Sequence, residues 1–237
     1  MYIPSKYKIT DIEEVRSFIQ SNSFGILINI LDEKPWATHI PLELETNSAG
    51  EAVLIGHVSK GNPQWKAFAE NPQVMAIFAA PHAYISSSWY DHENVPTWNY
   101  IAVHVYGRLQ VMEGEALFQA LKKLVDRYEA NSEKPVQLEK MSPEYVQREM
   151  RGIVGFEIKI EEIHAAKKLS QNRDNNNFQA VINELEKRGE GYDLDIAEAM
   201  KGLRNSPQSI VERSEIPSNG GVNNQIKKEF NSSACRY

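Results

Sequence analysis

HAYISSSWYDHENVPTWNYIAVHVY, His82 to Tyr106, holds two Trp, four Tyr and three His in 25 residues. Its second half decides the fold. From Trp98 to Tyr106 the residues alternate: Trp98, Tyr100, Ala102, His104 and Tyr106 face one way, and Asn99, Ile101, Val103 and Val105 the other. Period-two alternation of aromatic and β-branched residues marks a strand. The rings flank a polar, Pro-bearing loop from Asp91 to Pro96, which suggests a surface built to receive something flat.

Working outward, FGILINI at Phe24 to Ile30 is a buried-strand run, and AVLIGHV at Ala52 to Val58 another. Between them Trp36, Thr38, Ile40, Leu42 and Leu44 share one face of an alternating stretch, with His39 and Glu43 on the other. Gln73 to Ala79 is apolar. Gly107 allows a bend into Leu109 to Met112, and Ile153 to Ile160 is a final strand with Val154, Phe156, Ile158 and Ile160 on one face. About seven short strands separated by turn signals predict a β-barrel rather than a parallel sheet.

Helices punctuate the strands. Thr10 and Glu13 form a capping box ahead of Ile12, Val15 and Ile19. Asn62-Pro63 opens a short helix over Gln64 to Glu70. Leu117, Ala120, Leu121, Leu124, Val125 and Tyr128 trace an amphipathic helix, and Ser142-Pro143-Glu144 opens a shorter one. Phe178, Val181, Ile182 and Leu185, then Ile196, Met200 and Leu203, indicate two more. The expected organisation is a barrel domain over 1–163, a helical extension over 164–204 packing on it, and a polar, poorly ordered tail over 205–237.

Composition narrows the function. The chain has 237 residues, 41% hydrophobic and 24% charged, with formal net charge −6. That balance argues against a broad nucleic-acid footprint. Lys122, Lys123, Arg127 and Arg148 are interleaved with acids, as on a solvated face, and no helix-turn-helix signature occurs. The lone cysteine, Cys235, excludes a disulfide framework or a cysteine-based zinc site within one chain and fits a reducing cytoplasm. The start, MYIPSKYKITDIEEV, lacks a signal-peptide pattern. No apolar run is long enough to span a membrane.

Three segments carry candidate chemistry. In GHVSKGNPQW, Gly56 to Trp65, a loop bearing Ser59, Lys60 and Gly61 enters a helix capped by Asn62. Free backbone N–H groups, a hydroxyl and a cation there suit a phosphate; an ordinary strand-to-helix turn has the same spacing, and Pro63 removes one donor. The aromatic stretch, with Ser86 to Ser88 beside Trp89-Tyr90 and Thr97 beside Trp98-Asn99-Tyr100, suits a planar heteroaromatic ligand, or equally a core or dimer contact. KKLSQNRDNNN, Lys167 to Asn177, gathers cations and amides that close over an anion or merely cap a helix at Asp174. Among six histidines there is no HExxH or other metal-ligand spacing, and His104 reads as a hydrogen-bonded core residue. Neither a GxSxG elbow nor a Gly-rich nucleotide motif occurs.

Met1–Tyr7 (MYIPSKY), GHVSKGNPQW, AYISSSWY, VPTWNYIAVHVYG and KLSQNR, in this order and spacing, resemble the PaiB family of FMN-binding negative transcriptional regulators. The likeness runs from Met1 to Leu203. It implies an α+β fold built on a flavin-reductase/pyridoxamine-oxidase-like split β-barrel with peripheral helices, and a cytoplasmic homodimer with FMN at the subunit interface. It implies phosphate contacts from Ser59, Lys60 and Asn62, ring neighbours in Trp98 and Asn99, and flavin-edge or phosphate contacts from Lys168, Gln171 and Asn172. The implied role is repression of protease synthesis and sporulation, on DNA directly or through a partner protein. An FMN-dependent oxidoreductase, with His104 and Tyr100 as the proton donors to test, is the alternative, and haem a further cofactor, since related split barrels include haem proteins.

Overall fold

A computed structural model describes residues 1–205; beyond Asn205 the expected tail lies outside the described residues. Seven strands, β1 (Phe24–Leu31), β2 (Lys34–Pro41), β3 (Glu43–Thr46), β4 (Ala52–Ser59), β5 (Gln73–Ile85), β6 (Thr97–Met112) and β7 (Ile153–Lys168), form one antiparallel sheet in the order β2-β1-β5-β6-β7-β4-β3. β2 and β3 are the two edges, yet only Leu42 separates them in the chain. One residue spans at most about 3.6 Å, so the edges must come together and the sheet must curl into a barrel. Leu42 is fully buried at this corner, its N–H donating to Ser23 O at 2.8 Å.

The barrel interior is filled by Leu27, Leu54, Phe78, Val103, Val105, Phe156 and Ile158. Helix α1 (Ile12–Ser21) adds Ile12, Val15 and Ile19 to this core. Past the barrel mouth, the ends of β5 and β6 carry a second core. There Ala83, Ile85 and Leu169 pack on Phe178, Val181 and Leu185 of α4 (Asn175–Arg188) and on Ile196 and Met200 of α5 (Asp193–Asn205). Helices α2 (Gly114–Glu129) and α3 (Pro143–Met150) lie between β6 and β7 in the chain. Among the described residues no helix is long and apolar enough to cross a membrane.

Several local expectations need correction. The cap of α1 is Asp11, not Thr10: its carboxylate accepts from the N–H of Glu13 at 2.9 Å and of Glu14 at 3.3 Å. The alternating stretch from Trp36 to Leu44 is two strands, because the chain changes sheet edges at Leu42 without losing its parity. The helix expected over Gln64 to Glu70 is a 3-10 turn, Pro63–Ala67. FGILINI is buried on one face only, with Leu27 inside and Phe24 and Ile30 exposed.

The last strand runs to Lys168, not Ile160. At a bulge Tyr106 pairs with Glu162 and Gly107 with Ile160, leaving Glu161 extra. Buried positions then switch from Val154, Phe156, Ile158 and Ile160 to Ile163 and Ala165. One inserted residue reverses the alternation and hides the second half of the strand from a period-two reading.

Candidate functional site

The expected site residues fall into two groups at opposite ends of the long strands. The first is the turn after β4. Much of GHVSKGNPQW holds the turn itself together. Asn62 Oδ1 accepts from Gln64 N–H at 3.1 Å, and its amide donates to Thr38 Oγ1 at 2.8 Å. Fully buried Gln64 ties the turn to β1 and β2, donating to Leu27 O at 3.2 Å and accepting from Thr38 Oγ1 at 2.6 Å. Trp65 Nε1–H donates to Lys60 O at 3.0 Å, and Ser59 Oγ accepts from Gly61 N–H at 3.1 Å. The side chain left over is Lys60, exposed and in no ion pair among the described residues.

The second group lies where β6 begins and β7 ends. Register places His82, Tyr100 and Lys168 in one cross-strand row, with Tyr84 and Trp98 in the next. Trp98 is about half exposed (52%), its ring 5.8 Å from His82 and 5.9 Å from Tyr84, and His82 lies 5.3 Å from Tyr192. This is an open aromatic platform. Lys168 donates to Thr97 Oγ1, and its pKa is lowered by burial first and then by the cations Lys6 and Arg173. Cations that act on one another in this way favour an anion.

Asn99 points the other way from Trp98. It is fully buried, its amide donating to Ser170 Oγ at 3.0 Å and reaching Met200 Sδ at 3.5 Å. It fixes the turn after β7, where Ser170 has φ +58°. In that turn Gln171 donates to Lys167 O at 2.6 Å and Lys6 O at 3.1 Å and accepts from Leu169 N–H at 2.7 Å. Asn172 Oδ1 accepts from Tyr7 Oη at 3.3 Å. The bond to Lys6 O and the bond from Tyr7 join MYIPSKY to KLSQNR, which sequence separation conceals. Asp174 caps α4, accepting from Asn177 N–H at 3.0 Å.

The structure gathers Lys168, Gln171 and Asn172 at and just after the end of β7, which pairs with the start of β6 that carries Trp98 and Asn99, and leaves Ser59, Lys60 and Asn62 at the far end. The β7 register fixes this, since Ser59 pairs with Ile153 and Tyr100 with Lys168. Those partners are the two ends of a 16-residue strand, about 50 Å of extended chain. The sequence reading placed Arg173 among the cations of KKLSQNRDNNN but missed that Lys6 acts with it on Lys168. It also missed Arg151, which lines the same cleft as Lys60 and has no local signal linking the two.

His104 departs from expectation. It is half-buried in a row between Ile77 and His164, and its Nδ1 is buried without a hydrogen-bond partner among the described residues. Burial, then the Met1 amine and His164, lower its pKa. His164 itself is engaged, with Nε2 2.8 Å from Glu162 and Nδ1 2.7 Å from the amine of Met1. Among the described residues no three His, Cys, Asp or Glu are placed to hold a metal ion.

Comparison with known proteins accords with this architecture. Residues 1–162 match the family described as "Putative FMN-binding domain". The chain is 44% identical over 201 residues, 85% of its length and 97% of the relative's, to "Protease synthase and sporulation protein PAI 2" of Bacillus subtilis (strain 168). Among solved structures it is similar to the FAD and heme binding protein from Mycobacterium smegmatis (TM-score 0.54, 16% identity, 73% of this chain and 79% of that one). It is also similar to the flavocytochrome Anf3 from Azotobacter vinelandii (TM-score 0.55, 14% identity, 75% and 78%). These likenesses show the shared split-barrel fold. On the family match and the extent of its identity to PAI 2, the chain belongs to the PaiB-type family of FMN-binding domain proteins.

Proposed function

We propose that this protein is a PaiB-type regulator, acting negatively on protease synthesis and sporulation, that binds FMN between the two subunits of a cytoplasmic homodimer. The observation that carries the reading is the 44% identity to the PAI 2 protein over nearly that protein's whole length. Geometry supports the dimer. The cationic turn at Lys60 and the platform at Trp98 are too far apart along β6 and β7 for one FMN in one chain. Two chains set side by side supply a phosphate end from one and a ring platform from the other. The outer sheet face also offers apolar rows, Ile26 with Ile77 and Ile28 with Met75, beside exposed Phe24 and Ile30.

The residues fit FMN in kind. Lys60 and Ser59 suit the phosphate, Trp98 offers a face to the isoalloxazine, and Lys168 and Asn172 offer polar atoms beyond the platform, while Gln171, its amide engaged by Lys6, Lys167 and Leu169, holds the turn. Asn99 and Asn62 position the turns that hold them. When bound, FMN supplies a redox-sensitive ring, and the chain's own part is to hold and shield it. With net charge −6 and basic residues of α2 and α3 paired to acids, as Lys122 to Asp126 and Arg148 to Glu149, action on DNA runs through a partner protein.

The test is an absorbance and fluorescence titration with FMN, with mass in solution measured alongside. One flavin per subunit of a dimer is expected. Lys60→Ala weakens binding by about 1.5–3 kcal/mol through a lost charge-assisted contact, and Trp98→Ala by about 0.5–1.5 kcal/mol through lost stacking. A monomer that binds no flavin overturns the reading. Turnover of NADH or NADPH with added FMN favours the oxidoreductase instead.

A further inference from the structure

Lys60 and Arg151 meet through strand register. Ser59 pairs with Ile153, and Lys60 N–H donates to Gly152 O at 2.8 Å. The residue before that glycine, Arg151, therefore lies beside Lys60 at the same end of the β4–β7 ladder. Both side chains are exposed, and neither has an acidic partner among the described residues. Other cations among the described residues are paired with acids, as Arg127 is to Glu43 and Lys159 to Glu51. These two share a cleft of about 340 Å3.

The cleft has a chemical direction. Leu117, Val154 and Met150 make an apolar floor, Gln147 adds an amide, and the two cations stand at its rim. The first turn of α2 opens on the same space without a side-chain cap. Two like charges over a shared cleft repel, and a dianion between them converts that cost into attraction. A guanidinium fork takes two phosphate oxygens at once, and an ammonium takes a third as a point charge.

We propose that this cleft is a phosphomonoester site in which Arg151 acts with Lys60 to hold the phosphate of FMN. The proposal rests on the FMN reading above and deepens it. Arg151 makes the site select FMN over riboflavin, which has the same ring and no phosphate. Glu113 lines the same cleft and forms no ion pair with either cation among the described residues. It is a repulsive neighbour that limits affinity for a dianion.

Titrations of the full chain with FMN and with riboflavin test this in wild type, Lys60→Ala, Arg151→Gln and Glu113→Gln. Arg151→Gln is expected to weaken FMN by on the order of tenfold and leave riboflavin unchanged. Glu113→Gln is expected to tighten FMN alone. Inorganic phosphate should compete with FMN in wild type and less in Arg151→Gln. Arg151 is exposed, and a thermal melt checks that its variant folds. If Lys60→Ala loses affinity and Arg151→Gln does not, Arg151 is outside the site and the proposal fails while the FMN reading stands. Equal wild-type affinity for FMN and riboflavin has the same meaning. A wild-type protein that binds neither flavin brings down both.

Discussion

A methyl group at Gly107 has no room. Its Cβ would lie 2.3 Å from Lys159 O and 2.8 Å from Ile158 Cγ2, and the first of these is backbone, which cannot rotate away. Here β6 crosses its bulge with β7, and only a residue without a side chain lets the strands stay paired. Gly107→Ala should therefore destabilise the fold by about 1–3 kcal/mol, read as a shift of the urea midpoint. Gly202 in α5, where an added Cβ meets nothing within 4 Å, is the control. Gly202→Ala should be neutral or stabilising by up to about 1 kcal/mol. Equal behaviour of the two would remove the steric argument. The same scale explains Asn99, which a sequence reading sets beside Trp98 as a ring neighbour. Adjacent strand residues point to opposite faces, so one forms the platform and the other fixes the turn behind it.

Among the elements, α2 shows how an amphipathic stripe and burial part company. The stripe of Leu117, Ala120, Leu121 and Leu124 is plain in the sequence, yet only Leu117 is buried. It docks where Gly155 leaves space, since a Cβ there would lie 2.3 Å from Leu117 Cδ1. A polar clasp at the other end holds the helix. Glu43, 6% exposed, accepts from Arg127 and from Tyr128 Oη at 2.9 Å. Arg127 also donates to Gln20 O at 2.7 Å, and Tyr128 Oη lies 2.6 Å from Ser23 Oγ. Glu43→Ala should cost about 1.5–3 kcal/mol in urea unfolding. Arg127→Ala should cost less, because its guanidinium is partly in water and screened. A Glu43→Ala midpoint within about 0.5 kcal/mol of wild type, as for an ordinary surface change, would mean that the clasp contributes nothing.

For the whole molecule, two histidines tie stability to pH. His57, on β4 beneath α2, has its pKa held below the ordinary 6.5 by burial. That of His104 is lowered too, by burial and then by the Met1 amine and His164. Below pH 6.5 the unfolded chain takes up protons that the folded chain resists. Stability from these groups is therefore complete above pH 6.5 and is lost as pH falls through that value towards the folded pKa. Urea midpoints should drop between about pH 7.5 and about pH 5.5, and His57→Gln should flatten the slope. An unchanged slope in that variant would assign the acid sensitivity elsewhere.

The sequence by itself determined the strands whose alternation is unbroken, the helices whose apolar positions recur at 3.6 residues, and the family, through motifs that keep their order. That Val103 and Val105 lie on the face opposite Trp98 follows from period two alone, whereas the packed barrel decides which face is inside. Tertiary structure decided whatever depends on register between distant strands. The bulge at Glu161, the closure of the sheet at Leu42, the union of Lys6 with Gln171, and the meeting of Lys60 with Arg151 leave no local trace. Each is a contact between segments whose spacing along the chain carries no periodic signal. The roles of Asn62 and Gln64 belong here too. Their amides are the donors and acceptors that close the turn onto β1 and β2, and only the folded chain shows that those groups are already occupied.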